Sequence, residues 1–188
     1  MNLIIFGPPG AGKGTQSKFI ADNFNLFQLS TGEFLRKEIK NNSEIGKKIA
    51  SIISSGSLVS DEIVSNLIEK IISNKIYNNR IIFDGYPRSL DQAKNLDRLL
   101  KKYKQKIDIV IKLSVSLDTV KKRILERRNL EKRSDDSEDI AIKRYNTYEK
   151  STEPVIEYYK KMNLLKVIDG ERSIDQINKE ISDIISLI

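Results

Sequence analysis

Cysteine, histidine and tryptophan are all absent from this 188-residue sequence. Without cysteine there can be no disulfide, no thiolate metal site and no cysteine nucleophile. Without histidine, the chain also lacks the commonest general base and the commonest metal ligand of proteins. Any chemistry must therefore use Lys, Arg, Asp, Glu, Ser and Thr side chains, backbone amides, or a hard cation such as Mg²⁺.

Long apolar runs are also missing. No stretch approaches the roughly 20 apolar residues that cross a bilayer. The opening residues, MNLIIFGPPG, have no basic segment, and their apolar run is too short for a secretory signal. We therefore expect a cytoplasmic protein without a membrane partner.

Acidic residues are fewer than basic ones, with 26 Asp and Glu against 33 Lys and Arg, so the net charge is +7. Such a charge can indicate nucleic-acid binding. The lysines, however, are spread along the chain rather than gathered in one arm, and no aromatic platform is interleaved with them. We interpret them as ordinary surface residues and expect no nucleic-acid partner. The length suits one compact domain.

Short apolar runs alternate with amphipathic segments along the chain. The apolar runs predict strands at 2–6, 27–29, 80–84, 107–113 and 164–168. The amphipathic segments predict helices at 13–24, 30–39, 43–54, 60–73, 89–103, 116–128, 138–161 and 173–188. We expect the seventh helix to break or kink near Pro154 and the polar stretch 129–137 to be a loop. The alternation predicts an α/β fold, a parallel sheet with helices on both faces.

One connection is longer than a single crossover requires. About 50 residues of helical pattern separate the second predicted strand from the third. This excess predicts an all-helical insertion that acts as a mobile flap.

The strongest motif is GPPGAGKGT, residues 7–15, which follows a predicted buried strand and opens a helix. In that context glycines let a loop wrap a phosphate chain, whose charge meets backbone N–H groups and the positive end of the helix dipole. Lys13 adds a mobile cation, and we expect it on a solvent-facing loop where its loss costs little stability. The strict P-loop pattern has Ser or Thr directly after the lysine, whereas here Gly14 precedes Thr15. This departure disfavours a generic GTPase or ATPase.

Two further segments carry phosphate-binding residue types. In FDGYPRSLDQ, residues 83–92, Asp84 ends a predicted strand and could hold Mg²⁺-bound water, while Arg88 could grip a phosphate with two hydrogen bonds. In STGEFLR, residues 30–36, Ser30 and Glu33 form a potential capping box, and Thr31 and Arg36 lie near the positive end of the helix. Taken alone, the first segment also fits a strand, a turn and a helix cap, and the second also fits a capped surface helix.

Together, these segments resemble the adenylate kinase family over the full length of the chain. The matching motifs are GPPGxGKGT, STGxxLR, GxLV (here 56–59) and DGxPRxxxQ, in the right order and spacing. The resemblance implies an ATP site formed by Gly10, Ala11, Gly12, Lys13, Gly14, Thr15, Arg127 and Arg172. It implies an AMP site formed by Thr31, Arg36, Ser57, Leu58, Val59, Gly85, Tyr86, Pro87, Arg88, Gln92, Arg133 and Arg144. It assigns catalysis to Lys13, Arg88, Arg127, Arg133 and Arg144.

The resemblance also divides the single P-loop kinase domain into parts. It implies a core (1–29, 60–125 and 137–188), an AMP-binding insertion (30–59) and a short lid (126–136) without the hairpin or zinc-binding cysteines of longer relatives. Ser60 departs from the family, since many members carry Pro there, and it affects a helix start rather than a ligand. Arg123 fits either a solvated or a packing role, and we read Asp135 and Asp136 as partners of arginines.

The implied reaction is reversible transfer of a phosphoryl group from Mg-ATP to AMP, which gives two ADP. Mg²⁺ would be bound through the nucleotide and water, with Asp84 and Thr15 nearby, and zinc would have no role. The family resemblance suggests a monomer whose partners are ATP, AMP and ADP.

The sequence is also compatible with two other functions. A UMP/CMP kinase on the same scaffold tends to carry Ala at the position of Thr31 and Asn at that of Gln92, so both residues here favour AMP. A basic P-loop module could instead bind nucleotide or RNA without turnover. The arginine series disfavours such a module, because a binder has no need of cations on both sides of a transfer point.

Overall fold

The structure, a computed structural model, describes residues 1–131 and 137–188. The described strands are β1 (Leu3–Phe6), β2 (Phe27–Ser30), β3 (Ile81–Asp84), β4 (Ile109–Ser114) and β5 (Leu165–Asp169). The described helices are α1 (Lys13–Phe24), α2 (Thr31–Lys40), α3 (Glu44–Ser54), α4 (Asp61–Ile72), α5 (Leu90–Lys102), α6 (Leu117–Glu131), α7 (Glu138–Lys161) and α8 (Ile174–Ile185), with a 3₁₀ turn at Lys75–Tyr77.

Within these residues the five strands form one parallel sheet in the order β2-β3-β1-β4-β5. The predicted α/β fold with a parallel sheet is confirmed. Connections run one way from β1 and the other way from β4, so the carboxyl ends of these neighbours flank the crevice where open α/β sheets bind ligands.

The core lies on both faces of the sheet because neighbouring strand residues point to opposite sides. Ile4 and Phe83 pack with α2–α5 and α7 on one face, and Leu3, Ile5 and Ile111 pack on the other with α1 and α8. These five side chains are almost wholly buried. Burying each contributes about 1.5–3 kcal/mol to folding, which explains why the central strands are short, almost wholly apolar runs.

A buried asparagine joins the amino ends of three strands. Asn2 is fully buried, and its Oδ1 accepts a hydrogen bond from Ile81 N at 3.1 Å. Its Nδ2 donates to Gln105 Oε1 at 3.1 Å and to Lys106 O at 3.0 Å. Its backbone N–H donates to Asp108 Oδ2 at 2.8 Å. The starts of β1, β3 and β4 are thereby tied together at the edge of the sheet opposite the crevice.

The sequence prediction fails at one helix end. Residues 129–131 were expected in a loop, but α6 continues to Glu131. Extending an existing helix by a turn costs much less than nucleating one, and Leu and Glu favour helix, so α6 continues without an apolar periodicity. The remainder of that expected loop, 132–136, lies outside the described residues. Pro154 lies within α7, which is assigned as one continuous helix through it. No helix in residues 1–131 or 137–188 is both long and apolar enough to cross a bilayer.

Candidate active site

The loop between β1 and α1 presents backbone amides at the carboxyl edge of the sheet. Gly12 begins the helix with φ 91° and ψ 11°, a left-handed conformation that suits glycine. The first helical hydrogen bond runs from Gln16 N to Gly12 O at 3.0 Å. The amides of Lys13, Gly14 and Thr15 therefore precede the helical ladder, at the positive end of the helix dipole. Such an arrangement binds anions.

The side chain of Lys13 folds back over this loop. Its Nζ donates to Gly7 O at 2.7 Å and to Pro8 O at 3.0 Å. Lys13 is half-buried rather than fully solvent-facing as expected, because it is the first residue of α1 and its four-carbon stem is long enough to return to these carbonyls. Burial lowers the pKa of the Lys13 ammonium to about 8, although the nearby carboxylate of Asp84 opposes this change.

The turn after β3 brings a threonine and an arginine together. Gly85 has φ +80°, and a Cβ added there would lie 3.0 Å from both Thr31 Oγ1 and Arg88 Nη2, so only glycine fits. Thr31 Oγ1 donates to Gly85 O at 3.0 Å, and Arg88 Nε donates to the same carbonyl at 2.7 Å. Asp84 ends β3 with only 6% of its surface exposed, and its Oδ2 accepts from Gln28 Nε2 at 3.3 Å. The peptide between Tyr86 and Pro87 is cis.

Basic side chains from several elements converge on this turn. The pKa of Arg88 is lowered to about 10, first by burial and then by the charges of Arg144 and Arg36, while Asp84 opposes the change. The same repulsion reaches Lys13, whose pKa is lowered by Arg88, Arg144 and Arg127. The charges of Asp84 and of the neighbouring cations thus act on the pKa values of Lys13 and Arg88. The cations are Lys13, Arg36, Arg88, Arg127 and Arg144. A polyanion such as a phosphate chain would relieve their mutual repulsion.

A cleft of about 1060 Å³, counting its open mouth, lies beside these cations. Of the predicted site residues, the following line it: Lys13, Thr31, Arg36, Ser57, Leu58, Val59, Gly85, Tyr86, Pro87, Arg88, Gln92 and Arg144. They come from five parts of the chain that are distant in sequence. The cleft is large enough for a nucleotide.

The side chain of Gln92 is fixed at one wall of the cleft. Its Oε1 accepts from Arg88 N at 2.7 Å, and its Nε2 donates to Asp61 Oδ1 at 2.5 Å. The hydroxyl of Tyr86 donates to Gln92 O at 3.2 Å, and burial raises the pKa of that hydroxyl. The polar groups at this wall are therefore held in place by neighbours on α4 and α5.

The α3–α4 connection packs against α7 and helps to enclose the cleft. Lys143 Nζ donates to Ser55 O at 2.8 Å. A Cβ added to Gly56 would lie 2.8 Å from Ile140 Cγ2 and 3.1 Å from Arg144 Cγ. The end of the helical insertion and the start of α7 are thus in direct contact.

The sequence analysis missed most of the wall that α7 contributes. Besides Arg144, the cleft is lined by Thr147, Tyr148, Ser151 and Thr152. Thr147, Tyr148 and Ser151 lie three, four and seven residues after Arg144, the spacing of one helix face. This helical spacing was the sequence signal that could have identified these residues as part of the site. The short polar side chains of Thr147 and Ser151 were easily read as surface residues.

Several predicted site residues lie outside the wall of the cleft. Gly10, Ala11, Gly12, Gly14 and Thr15 form the loop and helix start beside Lys13. Arg127 is on α6, close enough to lower the pKa of Lys13. Arg172, at the β5–α8 junction, donates to Glu180 Oε2 and, at 3.4 Å, to Asp169 O. Arg133 lies outside the described residues, as do Asp135 and Asp136.

Arg123, whose role the sequence left open, makes a packing contact. Its Nη2 donates to Gly170 O at 2.9 Å, which joins α6 to the turn after β5. The neighbouring Glu171 accepts from Ser116 N and from Thr119 Oγ1, both at 2.9 Å. The start of α6 is therefore fixed to the turn between β5 and α8.

Comparisons with known proteins agree on one family. The family model described as adenylate kinase matches residues 5–164. A protein named adenylate kinase from Pelagibacter ubique is 44% identical, and the alignment covers 100% of both chains. Proteins of the same name from Petrotoga mobilis and Archaeoglobus fulgidus are 38% and 37% identical, each with at least 97% of both chains covered.

Proposed function

Because this chain belongs to the adenylate kinase family, a family of ATP:AMP phosphotransferases, we propose that it transfers a phosphoryl group reversibly from Mg-ATP to AMP to give two ADP. The observation that carries this proposal is the convergence of Lys13, Arg36, Arg88, Arg127 and Arg144 on one electrostatic field beside a nucleotide-sized cleft. Such an excess of positive charge suits a reaction between two phosphate-bearing substrates.

The reaction needs no general base. The attacking group is a phosphate oxygen of AMP, which is largely ionised at neutral pH because its second pKa is about 6. The difficulty is electrostatic, since ATP and AMP together bring roughly six negative charges and the transferring group develops charge on its equatorial oxygens. Lys13 and the arginines supply the opposing charge, so catalysis consists of in-line positioning and charge stabilisation.

The residues divide into a donor side and an acceptor side. On the donor side, the amides of residues 10–15 and the ammonium of Lys13 bind the ATP phosphates, with Arg127 beside them and Arg172 near the base. On the acceptor side, Arg36, Arg88 and Arg144 bind the AMP phosphate, with Arg133 joining from the lid. The AMP base lies against Thr31, Ser57–Val59, Gly85–Pro87 and Gln92.

The residues present fit a magnesium ion bound through the nucleotide and water. The buried carboxylate of Asp84 lies close enough to Lys13 to affect its pKa, at the edge where the phosphates would bind. Carboxylate, hydroxyl and water oxygens are the ligands Mg²⁺ prefers. Asp84 and Thr15 would hold it through water, and the ion would neutralise part of the charge that develops on the phosphates.

Two moving parts would exclude water from the transfer step. We assign this role to the helical insertion, residues 30–59, and to the short lid, residues 126–136. The contacts of Ser55 and Gly56 with α7 support the first assignment, since they close the cleft on one side. Without such closure ATP would be hydrolysed.

The deciding experiment uses the purified protein with ATP and Mg²⁺ and compares kcat/KM for AMP, CMP, UMP and GMP. We expect AMP to be preferred, because a site with fixed hydrogen-bonding groups rejects bases that leave them unpaired. Equal activity with UMP or CMP would favour the UMP/CMP kinase alternative. Nucleotide binding without ADP formation would favour a binding module.

The oligomeric state of the protein and its location in the cell are predictions. The family resemblance leads us to expect a monomer in the cytoplasm. Size-exclusion chromatography with light scattering, with and without nucleotides, tests the first expectation. A stable dimer of about 43 kDa, twice the 21.5 kDa chain mass, would contradict it.

A further inference from the structure

Asp61, in the first turn of α4, holds the side chain that faces the predicted acceptor base. Its Oδ1 accepts a hydrogen bond from Gln92 Nε2 at 2.5 Å. At the other end of the same amide, Gln92 Oε1 accepts from Arg88 N at 2.7 Å. The amide of Gln92 is therefore bound by an acceptor at its nitrogen and by a donor at its oxygen.

These two contacts allow only one orientation of the amide. A rotation by 180° would exchange its nitrogen and oxygen. The NH₂ group would then face the backbone N–H of Arg88, and the carbonyl oxygen would face the carboxylate of Asp61. An ionised carboxylate can only accept, and a backbone N–H can only donate, so both pairs would be repulsive.

We propose that Asp61 is a positioning residue that sets the base selectivity of the acceptor site by fixing the orientation of Gln92. The proposal rests on the proposed function, in which Gln92 faces the acceptor base. With one N–H bound to Asp61 and one lone pair bound to Arg88 N, the amide has one further N–H and one further lone pair to offer. The base therefore meets a donor and an acceptor at fixed positions.

This fixed pair complements one class of base and opposes the other. A ring that carries an amino group beside an unprotonated ring nitrogen, as in adenine or cytosine, matches the pair. A ring that carries an oxygen beside a ring N–H, as in hypoxanthine, guanine or uracil, presents the reverse pattern. It could bind only if the amide turned over, which would break the contacts with Asp61 and Arg88 N. Asp61 therefore distinguishes amino bases from oxo bases.

The test compares AMP with IMP, because hypoxanthine and adenine have the same ring size and differ at the two positions that Gln92 would contact. In Asp61→Ala, the ratio of kcat/KM for AMP to that for IMP should fall about tenfold, the effect of losing one hydrogen bond to a charged group. Part of the preference should persist because Arg88 N still holds the amide oxygen. The ratio of CMP to UMP should fall in the same direction. General damage to the fold would lower both activities and leave these ratios unchanged.

Three further variants sharpen the test. Asp61→Asn can still accept from Gln92 through its amide oxygen, so its ratio should lie closer to wild type than that of Asp61→Ala. Asp61 and Glu62 are both exposed acids of the same helical turn, but the bond to Gln92 is made by Asp61, so Glu62→Ala should leave the ratio unchanged. In a Gln92→Ala background, Asp61→Ala should have no further effect on the ratio, because the two residues act through one contact.

The possible results separate this inference from the proposed function. An AMP-to-IMP ratio within about twofold of wild type in Asp61→Ala would overturn the role of Asp61. An equal fall in Glu62→Ala would overturn it as well, since a general charge effect would then explain the change. If the wild-type protein phosphorylated neither AMP nor IMP, the proposed function itself would fail.

Discussion

The proposed donor and acceptor sides of the candidate site are built in different ways. On the acceptor side, side chains bind backbone and side-chain groups of other segments: Thr31 donates to Gly85 O, Gln92 accepts from Arg88 N, and Gln92 donates to Asp61. On the donor side, the loop before α1 offers backbone amides, and Lys13 binds the carbonyls of the same loop. The first arrangement depends on several distant segments, the second on a single motif.

This difference suggests a division of work. Backbone amides and a mobile ammonium recognise phosphate charge, which every nucleoside triphosphate carries. A network of oriented side chains can recognise the edge of one base. We therefore expect changes on the donor side to act on the rate of transfer and changes on the acceptor side to act on the choice of substrate.

The largest effect is expected for Lys13→Met. Methionine keeps most of the apolar stem but removes the charge needed as the phosphoryl group moves, so kcat should fall on the order of 10³-fold. The fold should persist, because the half-buried ammonium is replaced by an apolar group, and circular dichroism should be unchanged. Lys18→Met, at an exposed position of the same helix, is the matched control and should keep wild-type kcat. Retention of more than about a tenth of kcat by Lys13→Met would count against the phosphate-binding role of the loop.

Arg88→Ala tests whether the two sides are separable. Its loss should lower kcat/KM for AMP on the order of 10²-fold, while KM for ATP should stay within about twofold of wild type. Arg88→Lys should recover only part of the activity, because an ammonium cannot make the paired hydrogen bonds of a guanidinium. A matching rise in KM for ATP would contradict the division between the two sides.

A smaller effect is expected in the number of protons that the protein takes up when ATP binds. The pKa of Lys13 is about 8 in the free protein, and we expect the ATP phosphates to raise it by favouring the cation. Binding of ATP near pH 8.5 should therefore take up a fraction of a proton, measurable by calorimetry in buffers of different ionisation enthalpy. Lys13→Met should abolish this uptake, and proton release on binding by the wild type would refute the prediction.

The same pKa sets the sign of a stability effect. The ordinary pKa of a lysine side chain, as in the unfolded chain, is 10.5, so between about pH 8 and 10.5 the unfolded chain holds more protons at Lys13 than the folded one. The contribution of Lys13 to the free energy of unfolding therefore rises with pH across that window. Chemical unfolding of wild type and Lys13→Met at pH 8 and pH 10 should reveal the difference in slope.

The smallest effect on activity and stability is expected for the removal of zinc. The sequence contains neither Cys nor His, so it offers none of the soft ligands that structural zinc requires. A zinc-selective chelator should leave both turnover and melting temperature unchanged, whereas removing Mg²⁺ should stop turnover. Stoichiometric zinc in metal analysis of the purified protein would contradict this.

Much of the fold could be predicted from the sequence because its strands are short apolar runs between turn residues. The predicted strand 80–84 and the observed Ile81–Asp84 differ by one residue, and the predicted helix 13–24 matches α1. Sequence signals are weaker at 129–131, where helix extension needs no apolar face, and at the 3₁₀ turn Lys75–Tyr77, which is too short for a periodicity.

The residues of the predicted acceptor motifs do meet in one cleft, and their role in binding stays a prediction. The bond between Asp61 and Gln92 could not be predicted, because it joins helices 31 residues apart through side chains alone. The return of Lys13 to Gly7 O depends on a choice of rotamer that no pattern encodes. Contacts of this kind can be identified only from the three-dimensional structure.

The buried Asn2 has a consequence for which substitutions this protein can tolerate. It ties β1, β3 and β4 together at their amino ends, whereas the loops that bear the candidate site lie at the opposite ends of the same strands. Strand register is therefore fixed at a distance from the chemistry. A substitution in a site loop is therefore expected to leave strand alignment intact, whereas a substitution of Asn2 would remove hydrogen bonds to β3 and to the segment before β4.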